Sequence, residues 1–228
     1  MLYNLLAPMS DQIGAFNLFR YITFRTGGAV VTALVISFII GPPLIRWLRR
    51  VQKNGQPIRE DGPATHLLTK QGTPTMGGFL ILIALVIATL LWADLSNRFV
   101  WAVLMVTLGF GGIGFVDDTI KLSRRSSKGL SGKVKLSLEI VIALIAAYWI
   151  SDIFREPLAT SLAVPFMKNV LIDLGWFFLP FAALVMVGTS NAVNLTDGLD
   201  GLAIVPVMIV AGCFALISYL AGNAMFAA

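Results

Sequence analysis

Asn191, Asn194, Asp197 and Asp200 recur at intervals of three residues within the stretch Asn191 to Gly201, which lies between two apolar runs. On a continuing helix that spacing lines up two carboxamides and two carboxylates as one polar stripe, whereas Gly198 and Gly201 argue that the helix breaks there and exposes backbone. Such groups read hydroxyls and amides by hydrogen bonding, as a nucleoside or sugar requires, and the two acids favour a cation. A second cluster is the adjacent pair Asp117 and Asp118, which follows an uncharged run, Phe99 to Val116, with a glycine-rich tail. Successive helical positions point about 100° apart, so the pair is expected to converge on one cation only if the helix ends there. Mg²⁺ prefers hard oxygen ligands and commonly bridges carboxylates to substrate phosphates, which points to phosphoryl transfer. The competing reading is a pair of interfacial acids balanced by Lys121, Arg124 and Arg125. The third cluster runs from Lys70 to Gly78. Thr73 or Thr75 is expected to cap a helix there, with Pro74 near its first turn and Gly77 and Gly78 open to close approach. A helix N-terminus beside Lys70 attracts phosphate; the competing reading is a cap and a small-residue packing face.

The elements that must carry these clusters are membrane helices. Of 228 residues, 57% are hydrophobic and 13% charged, with a mean hydropathy of +0.83, against about 25% charged in a soluble domain. About 20 apolar residues span the hydrocarbon core, and six stretches are expected to do so, near 26–48, 75–93, 99–116, 134–150, 174–193 and 202–222. The fourth is interrupted by Glu139. Short connections make antiparallel neighbours the default, giving an all-α polytopic membrane protein with one domain over residues 1–228. Met1 to Met9 has no basic flank or small-residue cleavage site, so it is not read as a signal peptide. Twelve of the 17 Lys and Arg residues fall in the loops after helices one and three, which places those loops in the cytoplasm and the N-terminus outside. By parity the loop at Asp197 is cytoplasmic too, and the net charge of +5 is read as topology and not as a nucleic-acid surface. Ser151 to Asp173, on the other face, contains Pro157 and Pro165 and is left open to an interfacial element. Cys213, the one cysteine, excludes an intrachain disulfide and is read as a lipid-facing or packed thiol; His66 is read as a loop residue. A transporter or channel subunit whose acids bind a cation in transit is the alternative from another class, but a transport path places polar groups near the midplane and on both sides, and apart from Glu139 the helix centres are nearly free of ionisable groups.

The segments Lys70–Gly78, Phe115–Asp118 and Asn191–Ala203 resemble the signature segments of the phospho-N-acetylmuramoyl-pentapeptide transferases, the translocase I enzymes of peptidoglycan synthesis. Related transferases of N-acetylhexosamine phosphates share the aspartate pair but usually differ in the other two segments. The resemblance implies transfer of phospho-MurNAc-pentapeptide from its UDP carrier to undecaprenyl phosphate at the bacterial cytoplasmic membrane, giving lipid I and UMP, with Mg²⁺ required. It implies that Asp117 and Asp118 are catalytic and touch the metal, with Asp117 the favoured base. It assigns Lys70, Thr75, Asn194, Asp197, Gly198, Leu199 and Asp200 to the uridine moiety. It also implies a homodimer and a fold of about ten helices, of which these six resemble the first six. A third catalytic aspartate and a histidine-rich loop are not in this chain, so the 228 residues alone are expected to be inactive, with helix faces open to a membrane-protein partner.

Overall fold

A computed structural model describes residues 1–52, 74–125, 129–154, 158–164, 167, 170–197 and 202–221. A short helix α1 (Leu2–Leu6) and two 3-10 turns (Ala7–Asp11 and Gly14–Arg20) precede the long helices α2 (Ile22–Val51), α3 (Gly78–Trp92), α4 (Arg98–Arg124) and α5 (Gly132–Ile153). Strands β1 (Ser161–Ala163) and β2 (Leu171–Asp173) and a 3-10 turn (Gly175–Phe177) lead into α6 (Phe178–Thr196), which is followed by α7 (Ile204–Ala221). Each expected span is a helix, but among the described residues α2, α4, α5 and the Gly175–Thr196 segment alone are long and apolar enough to cross a membrane. Helix α3 has 15 residues, roughly 22 Å at 1.5 Å per residue, against about 30 Å of hydrocarbon.

Small residues set how these helices meet. Ala84, Ala88, Ala102, Ala143, Ala146 and Ala147 are all buried, while large side chains such as Phe38, Ile39 and Leu184 face outward. This is the packing expected where lipid is as apolar as leucine and close backbone approach replaces hydrophobic exclusion. Glycines extend the seams: a Cβ on Gly109 would press on Ile142 of α5, and one on Gly111 on Leu82 of α3. Trp92 lies over Gly28 and donates its indole N–H to the Thr32 hydroxyl at 2.9 Å, fixing α3 on α2. Neighbours in sequence pack in turn, α2 on α3, α3 on α4, α4 on α5 and α5 on α6. Within Ile204–Leu220, every side chain but that of Tyr219 is exposed, Cys213 included, in keeping with a lipid-facing thiol.

Two ends of the bundle result. At one, the Met1 ammonium donates to the carbonyls of Leu90 (2.7 Å) and Ala93 (3.2 Å), capping the C-terminus of α3 with positive charge. Asn4 donates to Asp94 and accepts from the Leu95 amide, both at 3.0 Å, and Arg98 pairs with Asp152 at 2.7 Å. The Ser96 hydroxyl above all, with the Ser96 amide and the Asn4 carboxamide, holds Asp94 below the usual carboxylate range. The antiparallel pair β1–β2, with Leu162 opposite Ile172, occupies the segment left open above, and Trp176 beside it is 89% exposed. At the other end, the close of α2 meets the approach to α3, and the close of α4 meets the start of α5.

Candidate active site

Nothing between Val116 and Arg124 breaks a helix, and α4 runs two turns past the expected end at residue 116. The carboxylates of Asp117 and Asp118 therefore diverge from within a helix, and the sequence-based expectation that they need a helix end to converge is corrected. Lys121 brings them together, because positions i+3 and i+4 lie beside both. Its Nζ is 2.5 Å from Asp117 Oδ2 and 3.4 Å from Asp118 Oδ1. The remaining oxygens are also engaged: Asp117 Oδ1 accepts from the Leu130 amide at 2.7 Å, and Asp118 Oδ2 accepts from the Thr75 hydroxyl at 3.1 Å. Two carboxylates share one ammonium, so the centre keeps a net negative charge with all three side chains less than a third exposed.

Thr75 is not the cap expected of it. Helix α3 starts at Gly78 with Gly77 at the N-cap and no side-chain cap bond, so Pro74 also stands before the first turn. The Thr75 hydroxyl is spent on Asp118 instead, which joins the Lys70–Gly78 segment to the aspartate pair. Its backbone is held by Gln52, which accepts from the Thr75 amide at 2.9 Å and donates to the Thr75 carbonyl at 3.3 Å. Gln52 is 8% exposed, and Met76 follows Thr75 in the left-handed region at φ 73°. Sequence reasoning missed Gln52, since a glutamine after Arg49 and Arg50 reads as an ordinary wet helix end. Cβ atoms on Gly77 and Gly78 would meet nothing within 4 Å, which leaves the open approach expected there.

The Asn191 stretch is helical as far as Thr196 and turns at Asp197. Asn194 and Asp197 are exposed, and none of the described contacts joins them to the aspartate pair. Asn191 is the member tied inward: its Nδ2 donates to Glu139 Oε2 at 2.5 Å and to the Val187 carbonyl at 3.0 Å. Glu139 is 3% exposed, with Lys135 Nζ 4.0 Å from its Oε1. The residue that interrupts the apolar pattern of α5 is thus a buried strut to α6. Lys70, Gly198, Leu199 and Asp200, with His66 and Thr73, lie outside the described residues. Among the described residues no group of three or more His, Cys, Asp and Glu side chains gathers as a metal cluster.

Apolar helices with small-residue seams, closed at one end by two carboxylates, a lysine and a threonine hydroxyl, define a multi-pass membrane protein with a polar centre suited to cations and phosphates. The chain belongs to glycosyl transferase family 4, whose model matches residues 100–228, a span that takes in the aspartate pair and the Asn191 stretch. Residues 70–82 match the phospho-N-acetylmuramoyl-pentapeptide-transferase signature 1. A curated phospho-N-acetylmuramoyl-pentapeptide-transferase of Granulibacter bethesdensis is 64% identical over 227 residues, covering 100% of this chain. The chain spans 63% of that relative's length.

Proposed function

We propose that the polypeptide carrying this sequence transfers phospho-MurNAc-pentapeptide from its UDP carrier to undecaprenyl phosphate at the bacterial cytoplasmic membrane. The observation that carries the reading is the Thr75–Asp118 hydrogen bond, which joins the signature segment to the aspartate pair. In the reaction an oxygen of undecaprenyl phosphate attacks the phosphorus that bears the sugar. A new P–O bond forms, the diphosphate P–O bond breaks, and UMP leaves. The products are lipid I and UMP.

Asp117 takes the proton of the lipid phosphate on Oδ2, while the Leu130 amide keeps the carboxylate oriented through Oδ1. Lys121 holds the two carboxylates together and sets positive charge where phosphate oxygens arrive. Thr75, fixed by Gln52, keeps Asp118 from turning. The donor set fits Mg²⁺: Asp117 and Asp118 offer hard oxygens from adjacent residues, each with a lone pair left, and they are the residues that would hold it. When bound, the ion offsets charge on the diphosphate. Lys70, Asn194, Asp197, Gly198, Leu199 and Asp200 contact the uridine end, with the N-terminus outside and these groups facing the cytoplasm. The functional unit is a homodimer, with room for a membrane-protein partner on its exposed helix faces.

The leaving group tests this reading. Membranes containing the complete polypeptide, given UDP-MurNAc-pentapeptide, undecaprenyl phosphate and Mg²⁺, should release UMP. Release of UDP would indicate glycosyl and not phosphoglycosyl transfer, and no nucleotide release would favour a cation-binding transport subunit.

A further inference from the structure

The buried carboxylate of Glu139 has no part in the proposed chemistry, yet it consumes one N–H of Asn191, the first residue of the polar stripe. The Val187 carbonyl, one turn back on the same helix, consumes the other. Among the described residues the Asn191 Oδ1 has no hydrogen-bond partner. A carboxylate only accepts, so turning the amide over would set Oδ1 against Glu139 Oε2 at hydrogen-bond distance, two negative oxygens within a buried seam. A glutamine at 139 would lack this polarity, since it can donate or accept and so hold either orientation. The ammonium of Lys135, 4.0 Å from Oε1, supplies charge beside the carboxylate.

We propose that Glu139 is a positioning residue that locks the amide of Asn191 with its carbonyl oxygen free, so that Asn191 meets the nucleotide sugar only as an acceptor, for a hydroxyl or N–H donor of that ligand. This rests on the function proposed above. An acceptor of fixed direction discriminates by hydrogen bonding, because a ligand lacking the donor leaves a desolvated oxygen unpaired.

A polarity swap tests it in the complete polypeptide. N191D alone opposes two carboxylates and should weaken the interaction with UDP-MurNAc-pentapeptide by about tenfold or more, a charged hydrogen bond being at stake. In the double variant E139Q/N191D the new glutamine amide donates to one carboxylate oxygen at 191 and leaves the other free as an acceptor, with the carboxylate turned off the Val187 carbonyl, which keeps its helical backbone donor. It should return the KM for UDP-MurNAc-pentapeptide to within about threefold of the parent. The KM for undecaprenyl phosphate should stay within about twofold throughout, which a merely structural strut would not guarantee. Unchanged nucleotide-sugar KM in N191D, no recovery in the double variant, or both KM values moving together would overturn the proposal. Calorimetric binding of UDP-MurNAc-pentapeptide reads the same pattern without turnover. If that pattern holds but no UMP is released, the transfer reading fails and the lock stands; if N191D binds like the parent, the lock fails whatever the turnover.

Discussion

Gly129→Ala adds one methyl group in the turn between α4 and α5. The Cβ would lie on the Asp117 carboxylate, 2.7 Å from its Cγ, and 2.9 Å from Cε of Lys121. Unbonded carbons rest about 3.5–4.0 Å apart, so either the carboxylate turns away or the turn retreats. Both movements break the 2.7 Å bond from the Leu130 amide to Asp117 Oδ1 and disturb the Lys121 pair. A hydrogen bond to a charged group contributes about 1.5–3 kcal/mol, equivalent to roughly 10- to 150-fold in kcat/KM if the orientation of Asp117 matters in the transition state. Gly129 does not occupy the left-handed region, so alanine meets no backbone penalty and the effect isolates the carboxylate. Gly132→Ala is the control: three residues further on, its Cβ meets nothing within 4 Å, and activity should stay within about twofold of the parent. The assay is the initial rate of UMP release over a range of UDP-MurNAc-pentapeptide concentrations. A Gly129→Ala enzyme within about twofold of the parent would refute the claim that Asp117 must be held at this angle.

Lys121→Met leaves two carboxylates without the cation that joins them and should lower kcat by about tenfold or more, with insertion into the membrane unchanged by protease protection; a normal kcat would remove Lys121 from the centre. Thr75→Val deletes the hydroxyl on Asp118 and should cost about 1.5–3 kcal/mol in kcat/KM, while Thr75→Ser, which keeps it, should recover most of the loss; equal rates in the two variants would contradict the assignment. Asp94 is held below its unfolded value of about 3.9, so what it contributes to folding is complete above that pH and is lost as pH falls through the lower folded value. Thermal unfolding in detergent should therefore show a smaller drop between about pH 5 and about pH 3 for Asp94→Asn than for the parent, and parallel curves would count against the Ser96 and Asn4 contacts.

The apolar runs were legible because a helix in lipid must satisfy every backbone group within itself, so span-length hydrophobic stretches have few other options. All six became helices. Their ends were less legible: composition stops at Val116, where charge begins, but hydrogen bonding continues to Arg124 because no proline or glycine intervenes. That difference of two turns turns Lys121 from a balancing surface charge into the bridge between Asp117 and Asp118. The hairpin at 161–163 and 171–173 left no alternating pattern long enough to read, since each strand has three residues. Glu139 looked like a defect in its span because pairing across helices is invisible along one of them; Asn191 supplies the partner 52 residues away. Gln52 was missed for the same reason, its partner Thr75 being 23 residues on and backbone. Conversely, Thr73 or Thr75 was expected to cap the helix locally, whereas the Thr75 hydroxyl reaches 43 residues to Asp118.

The most direct test of the central claim is mass-spectrometric detection of lipid I after incubating membranes of the complete polypeptide with UDP-MurNAc-pentapeptide, undecaprenyl phosphate and Mg²⁺, alongside Asp117→Asn and Asp118→Asn. Lipid I and UMP should form in equal amounts with the parent and neither with the variants, which still insert normally. Lipid I formed at a near-parental rate by either variant, or none formed by the parent, would contradict the claim.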